Sequence, residues 1–366
     1  MIKPLSLSIV TASLLASLTG CGSSDSDNNT DTTPTSDTNL ENSGNNNQIE
    51  AENGILPNTI SENLTLSKEI KYKISGLVTV KNGATLTVPA GTTLYGDATG
   101  YLVVTKGSKI IANGTEAEPI IFTSEDVLIN GANPEVGQWG GLTLLGQSTT
   151  NHENAVYEVD EANPDFAFGG NIANDNSGIL RHVKILNSGI AVNSDQEING
   201  LSLAGVGSGT VVENIYVENS GDDGIEIWGG TVNLTNITIK NALDDSFDAD
   251  YGYTGTVDGL TVTQVEDAHA GMEISSGGTS PMTSPTIKNF TVNTVAGSDE
   301  GGIYIKDDTT APTFLNGTIN HLGYDGGVNV RKVLTAEAKA QISFTNVIIN
   351  AEEKVSGVGM DDITIE

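Results

Sequence analysis

The sequence predicts an all-β chain wound as a parallel β-helix, a solenoid whose coils bury their inner faces by stacking on one another. The first observation is a unit stated twice between Val211 and Asp250. Glu213-Asn214-Ile215-Tyr216-Val217 leads through the acidic turn Asp222-Asp223 to Ile225-Glu226-Ile227, and Thr235-Asn236-Ile237-Thr238-Ile239 leads through Asp244-Asp245 to Phe247-Asp248. The second is that both halves of the unit recur at spacings of 22 to 32 residues. Lys288-Asn289-Phe290-Thr291-Val292 and Leu315-Asn316-Gly317-Thr318-Ile319 repeat the first strand; Gly271-Met272-Glu273-Ile274 and Gly302-Ile303-Tyr304-Ile305 repeat the second. Such spacings hold two or three short strands and leave no room for a helix with its own loops. The third is composition: 43 glycines, 37% hydrophobic and 5% aromatic residues suit a thin core of Val, Ile and Leu. No window shows a sustained helical period.

At the start of the chain, residues 1–20 read as an export signal. Lys3 is the only positive charge, and Leu5 to Leu18 are apolar, fourteen residues against the roughly twenty that span a bilayer. Leu18-Thr19-Gly20-Cys21 resembles a bacterial lipobox, which implies cleavage before Cys21, the only cysteine, and a lipid on its thiol. Gly22 and Ser23 behind it imply, by the same resemblance, the outer membrane. Residues 21–54 are rich in Ser, Asp, Asn and Thr and too poor in apolar side chains to fold. They form a tether with a reach of roughly 30 Å.

Residues 55–366 form one β-helix domain. Its early strands include Leu77-Val78-Thr79-Val80, Ala84-Thr85-Leu86-Thr87-Val88, Tyr101-Leu102-Val103-Val104 and Pro119-Ile120-Ile121-Phe122. About eleven or twelve coils at ~4.8 Å each make a rod of roughly 55 Å. Gln147 to Ser177 breaks the rhythm, and a loop of that length in a regular solenoid is functional or disordered. Its Phe166 and Phe168 are expected to cap the flank of the helix. Asp361, Asp362 and Glu366 at the end discourage edge pairing, so a monomer is expected.

Several stretches resemble a widespread family of bacterial cell-surface lipoproteins. They are Trp139-Gly140-Gly141-Leu142, Phe168-Gly169-Gly170-Asn171, the run from Asn199 to Thr210, and the two acidic turns. The resemblance is close from about Gly137 to Gly255 and implies a right-handed parallel β-helix at the cell surface. It implies no settled activity.

Net charge is -31, from 47 acidic against 16 basic residues. Such a surface repels nucleic acid and anionic membranes and concentrates cations. Stacking should set Asp222 and Asp223 above Asp244 and Asp245, with Glu266 and Asp267 following. Carboxylates at inter-strand spacing repel unless protonated or bridged by a cation. Calcium, with six to eight oxygen ligands in flexible geometry, suits such an edge. Asp248-Ala249-Asp250-Tyr251-Gly252 resembles part of a calcium loop without its third ligand and terminal Glu. The candidate metal ligands are therefore Asp222, Asp223, Asp244, Asp245, Asp248, Asp250, Glu266 and Asp267.

A weaker resemblance is to polygalacturonase-type β-helices, which carry acids and a histidine on successive coils, followed by a basic strand. Asp222, Asp244, Asp245, His269 and Lys306 fall in that order, which implies inverting hydrolysis by two carboxyl groups roughly 6.5–9.5 Å apart. Ala268-His269-Ala270-Gly271 departs from that family's Gly-His-Gly, and Lys306 stands without the arginine that grips a uronate. Two functional expectations follow. The first is a non-enzymatic, calcium-dependent surface lipoprotein that binds an extracellular polysaccharide or a surface protein. The alternative is a polysaccharide hydrolase or calcium-dependent lyase. A structural shaft without ligand is the third possibility.

Overall fold

The computed structural model describes residues 54–365 except 194, 195, 266, 267 and 279. Cys21 and the segments expected to be a signal and a tether, up to residue 53, lie outside the described residues, as do Glu266 and Asp267. The described chain is a right-handed parallel β-helix. Its short strands form one eleven-stranded sheet, here the first sheet, in the order in which successive coils supply them. Its longer strands form a thirteen-stranded second sheet. Helix is confined to Glu125–Leu128, Ala336–Gln341 and three-residue turns.

Register is uniform. In the first sheet Leu201 pairs with Ile225, Ile225 with Phe247, Phe247 with Met272, Met272 with Ile303 and Ile303 with Val328. Two residues on, Leu203, Ile227, Ala249, Ile274, Ile305 and Val330 form a second inward column, all fully buried. Each large apolar side chain so enclosed contributes about 1.5–3 kcal/mol. Side chains alternate across a strand, so the residue between these columns points outward in every coil.

The second sheet turns a corner within each long strand. His182, Asn214, Asn236, Gly259, Asn289, Asn316 and Asn346 stand at corresponding positions and all have positive φ, between 47° and 82°. Asparagine tolerates this left-handed backbone better than most residues, because its short polar side chain bonds locally. The amides also join coils, with Asn236 Nδ2 donating to Asn214 Oδ1 at 3.2 Å and Asn346 Nδ2 to Asn316 Oδ1 at 2.9 Å. The recurrent asparagine of the Asn-x-Ile/Val strands is thus the corner residue.

A second corner precedes each first-sheet strand and carries glycine in most coils. A Cβ on Gly302 would lie 2.4 Å from Ile319 Cγ2, and one on Gly224 2.3 Å from Ile239 Cγ2. The aliphatic branch of the long strand occupies the space a side chain would need.

The insertion between residues 147 and 177 covers part of the first sheet's outer face. Tyr157, Phe166 and Phe168 pack on Val103, Leu145, Ala204 and Trp228, and all three rings are buried. Tyr157 Oη bonds Thr143 Oγ1 at 3.2 Å and Ser202 Oγ at 3.4 Å. Lys81 pins Asp165 at 2.8 Å. Farther along, Asn151 Nδ2 reaches Ser276 O at 2.7 Å, and the His152 ring stacks on Tyr251 with centroids 3.7 Å apart. Phe166 and Phe168 therefore cap the flank, as the sequence suggested. The insertion lies beside the part of the outer face that the later coils leave uncovered, with Glu158 near Glu197, Asp222 and Glu226.

Gly302→Ala should lower stability by about 1–3 kcal/mol, the usual cost of overpacking, as read by urea titration. An unchanged midpoint would refute the corner argument.

Candidate functional site

Beyond the insertion the outer face becomes acidic. The outward column of the first sheet runs Ser202, Glu226, Asp248, Glu273, Tyr304 and Asn329, each paired in register with the next. Asp250 stands beside it in register with Trp228. The turns feeding these strands add Asp222, Asp223, Asp244 and Asp245. Asp248 thus belongs to the strand Phe247–Asp250 and not to a metal-binding loop. Phe247, Asp248 and Ala249 are extended and paired on both edges, whereas Tyr251 and Gly252 turn with positive φ.

The two aspartates of each turn have different fates. Asn199 Oδ1 accepts the Asp223 N–H at 3.1 Å, Asp223 Oδ1 accepts the Asp245 N–H at 2.8 Å, and Asp245 Oδ1 accepts the Ala270 N–H at 2.6 Å. One buried side-chain oxygen per coil thus satisfies the next coil's backbone donor. Asp223 and Asp245 are 6% and 5% exposed, so much of their role is to hold the turn. Asp222 and Asp244 are half-buried and face outward.

His269 occupies the rung after Asp244; Glu266 and Asp267, expected to follow Asp244, lie outside the described residues. Its N–H donates to Asp244 O at 3.1 Å, and its ring Nδ1 pairs with Asp244 Oδ1. The segment between Val262 and His269 is longer than that between Ile239 and Asp244 in the preceding coil. Lys306 Nζ lies 2.7 Å from Glu273 Oε1.

Three groups of carboxyl oxygens come within 4.8 Å of one another: Asp222, Asp223 and Asp244; Asp223, Glu226 and Asp248; and Asp245, Glu273 and Glu300. Asp248 is 7% exposed, and its Oδ1 has no hydrogen-bond partner. An ionised group so placed is costly unless a cation or proton arrives.

Electrostatics follow from this crowding. Burial, then the Asp244 charge, push Asp222 up to about 7. Burial and the neighbouring Glu197 and Glu161 push Glu158, on the insertion, up to about 7. Burial followed by Asp248 raises Glu226, and burial followed by Glu273 raises Asp248 and Asp245, all well above the usual carboxylate range. Glu273 is raised by burial against the opposing pull of Lys306. Burial works against the Lys306 charge, but Glu273 outweighs it and holds the ammonium above the usual lysine value.

Of the residues expected from sequence, Asp222, Asp223, Asp244, Asp245, Asp248, Asp250, His269 and Lys306 all lie along this face. Glu226, Glu273 and Glu158 were missed. The available signal was the acid flanked by apolar residues in Ile225-Glu226-Ile227, Phe247-Asp248-Ala249 and Met272-Glu273-Ile274.

Residues 58–365 match the family described as pectate-lyase like beta helix domain. A comparison with curated proteins returns no match. Among solved structures, the enzymatically active domain of tailspike protein 2 from bacteriophage CBA120 is similar, at 12% identity and a TM-score of 0.35 over 79% of this chain and 42% of that one. The catalytic domain of a GH87 alpha-1,3-glucanase variant in complex with tetrasaccharides is similar at 11% identity and a TM-score of 0.35, over 84% of this chain and 63% of that one. The chain thus spans less than two thirds of either structure.

In metal-free buffer, stability should fall as pH rises from about 4 to about 7. Asp222 and Glu158 hold protons in the folded state up to about 7, whereas unfolded carboxyl groups release them near 4, so the folded chain binds more protons across that window. The melting temperature should drop by several degrees, and Glu158→Gln or Asp222→Asn should flatten the profile. A melting temperature that rises across the window would contradict the carboxyl crowding.

Proposed function

We propose, for a chain that belongs to the pectate-lyase-like beta helix family, that the groove on the first sheet binds a polysaccharide and hydrolyses it, with Asp222 and Asp244 as the reacting carboxyl groups. The observation that carries this reading is that these two accessible carboxyl groups, on successive rungs, sit in opposed environments. Asp222 is pushed up to about 7 by burial and by Asp244, whereas Asp244 is paired with His269. Carboxyl groups in contrasting surroundings divide acid and base roles.

Asp222, as the carboxylic acid, donates its proton to the glycosidic oxygen as the C1–O bond breaks. Asp244, as the carboxylate oriented by His269, bonds to C1. Water then cleaves that ester while Asp222, now ionised, takes up the water proton. One oxygen of each group lies within 4.8 Å of the other's, nearer the ~5–5.5 Å of retaining than the ~6.5–9.5 Å of inverting enzymes, which supports retention as the proposed course. Elimination is disfavoured, because Lys306 would have to serve as base and Glu273 holds it charged.

A second reading, calcium-dependent glycan binding without cleavage, is favoured by the unpaired Oδ1 of Asp248. Asp223, Glu226 and Asp248 offer the all-oxygen donor set that calcium takes. A bound ion would supply charge compensation there, and the rest of the groove would hold the sugar chain. We also propose that a lipid on Cys21 tethers the domain to the outer membrane. Mass spectrometry of the membrane-extracted chain should show the acyl mass, absent in Cys21→Ser.

A reducing-sugar screen over neutral, amino and uronate polysaccharides should find turnover that persists in chelator. Asp222→Asn and Asp244→Asn should each reduce it roughly a hundred- to ten-thousand-fold. No turnover on any glycan, together with a melting temperature that calcium raises in the parent chain but not in Asp248→Asn, would replace hydrolysis by the binding reading.

A further inference from the structure

Next to the proposed reacting pair, Asp223 and Glu226 each have one oxygen engaged by a hydrogen bond, and Asp248 offers an oxygen without a partner. Asp223 Oδ1 is engaged by the Asp245 N–H at 2.8 Å, and Glu226 Oε2 by Asn199 Nδ2 at 2.6 Å. Asp248 Oδ1 has no partner although the residue is more than nine-tenths buried. One oxygen from each of the three carboxyl groups therefore lies within 4.8 Å of the other two. The nearest described cation, Lys306, bonds Glu273 one rung away. Glu226, half-buried, is the member that opens to the groove.

Three single oxygens match the three N–H donors of a primary ammonium group better than the six to eight ligands of calcium. We propose that this trio is a subsite for the ammonium group of a polysaccharide containing de-N-acetylated amino sugars, so that the substrate itself brings the cation that no described residue pairs with these three carboxyl groups. The inference rests on the reading that the groove holds a glycan, and it names that glycan's class.

The wider charge distribution agrees with it. The insertion brings Glu158 toward Glu197, Asp222 and Glu226 from the other side of the groove. A groove walled by carboxyl groups concentrates cationic chains and repels uronates. An N-acetylated unit presents one amide N–H and no charge, and leaves two of the three oxygens unpaired. Because burial and mutual repulsion raise these carboxyl groups, an arriving ammonium should displace protons from them.

The test uses the full chain and calorimetry at about pH 6 and low salt, with a glucosamine hexamer, its fully N-acetylated counterpart, hexalysine and calcium chloride as probes. The glucosamine hexamer should bind at least about tenfold more tightly than the acetylated hexamer and more tightly than hexalysine. Its enthalpy should differ between two buffers of unlike ionisation heat, reporting proton release. Glu226→Gln and Asp248→Asn should each weaken the glucosamine hexamer about tenfold and leave the acetylated one unchanged. Equal affinity for both hexamers, or tighter binding of hexalysine, would overturn the assignment. So would calcium binding that Asp248→Asn abolishes without any preference for the amino oligomer. Asp222-dependent cleavage of acetylated or neutral chains alone would overturn it and leave the hydrolase standing. Selective binding of the amino oligomer without turnover would support the subsite and remove the hydrolase.

Discussion

In-register parallel pairing is the interaction on which the rest of the structure depends. When Ile225 pairs with Phe247 and Phe247 with Met272, every other residue of those strands is placed over its counterpart at about 4.8 Å. Whatever one coil carries at a given position, its neighbour's equivalent stands beside it. Apolar positions become the continuous inner columns, and asparagines become amide ladders. Acids become a column of like charges, which the same pairing would otherwise oppose.

The chain manages that repulsion in three ways. One aspartate per turn is spent on a backbone donor of the next coil, as with Asp223 and Asp245. Basic groups cover others: Lys306 lies against Glu273 and His269 against Asp244. The remainder, among them Asp222 and Glu226, hold protons more strongly than free carboxyl groups do. The insertion deepens this effect by bringing Glu158 to the opposite side and keeping the groove partly dry. A buried carboxyl oxygen without a partner in such a setting, as on Asp248, is where a ligand gains most.

The acidic turns were legible because they repeat at 22 residues with the strands that carry them. What they did not reveal is which acid of each pair looks outward. Asp222 and Asp223 are neighbours with identical side chains, yet one is half-buried on the groove and the other is enclosed and bonded to Asp245. Glu226 and Glu273 were hidden for another reason. A single acid between two apolar residues reads as an ordinary solvent-facing strand position, and only the stack turns it into part of a site. The expectation that Glu266 and Asp267 follow Asp244 falls on residues outside those described, and the next described rung after Asp244 carries His269.

By itself the sequence determined that the chain is a solenoid, where its coils recur, which residues fill its core and that its turns are acidic. These are local and periodic properties, set by alternation and by the backbone preferences of glycine and asparagine. Tertiary structure alone decided which carboxyl groups meet, because their partners lie one coil away in space and 22 or more residues away in the chain. It also decided that the insertion lies beside the uncovered acidic face, since its aromatic residues find their cover on strands from coils both before and after it.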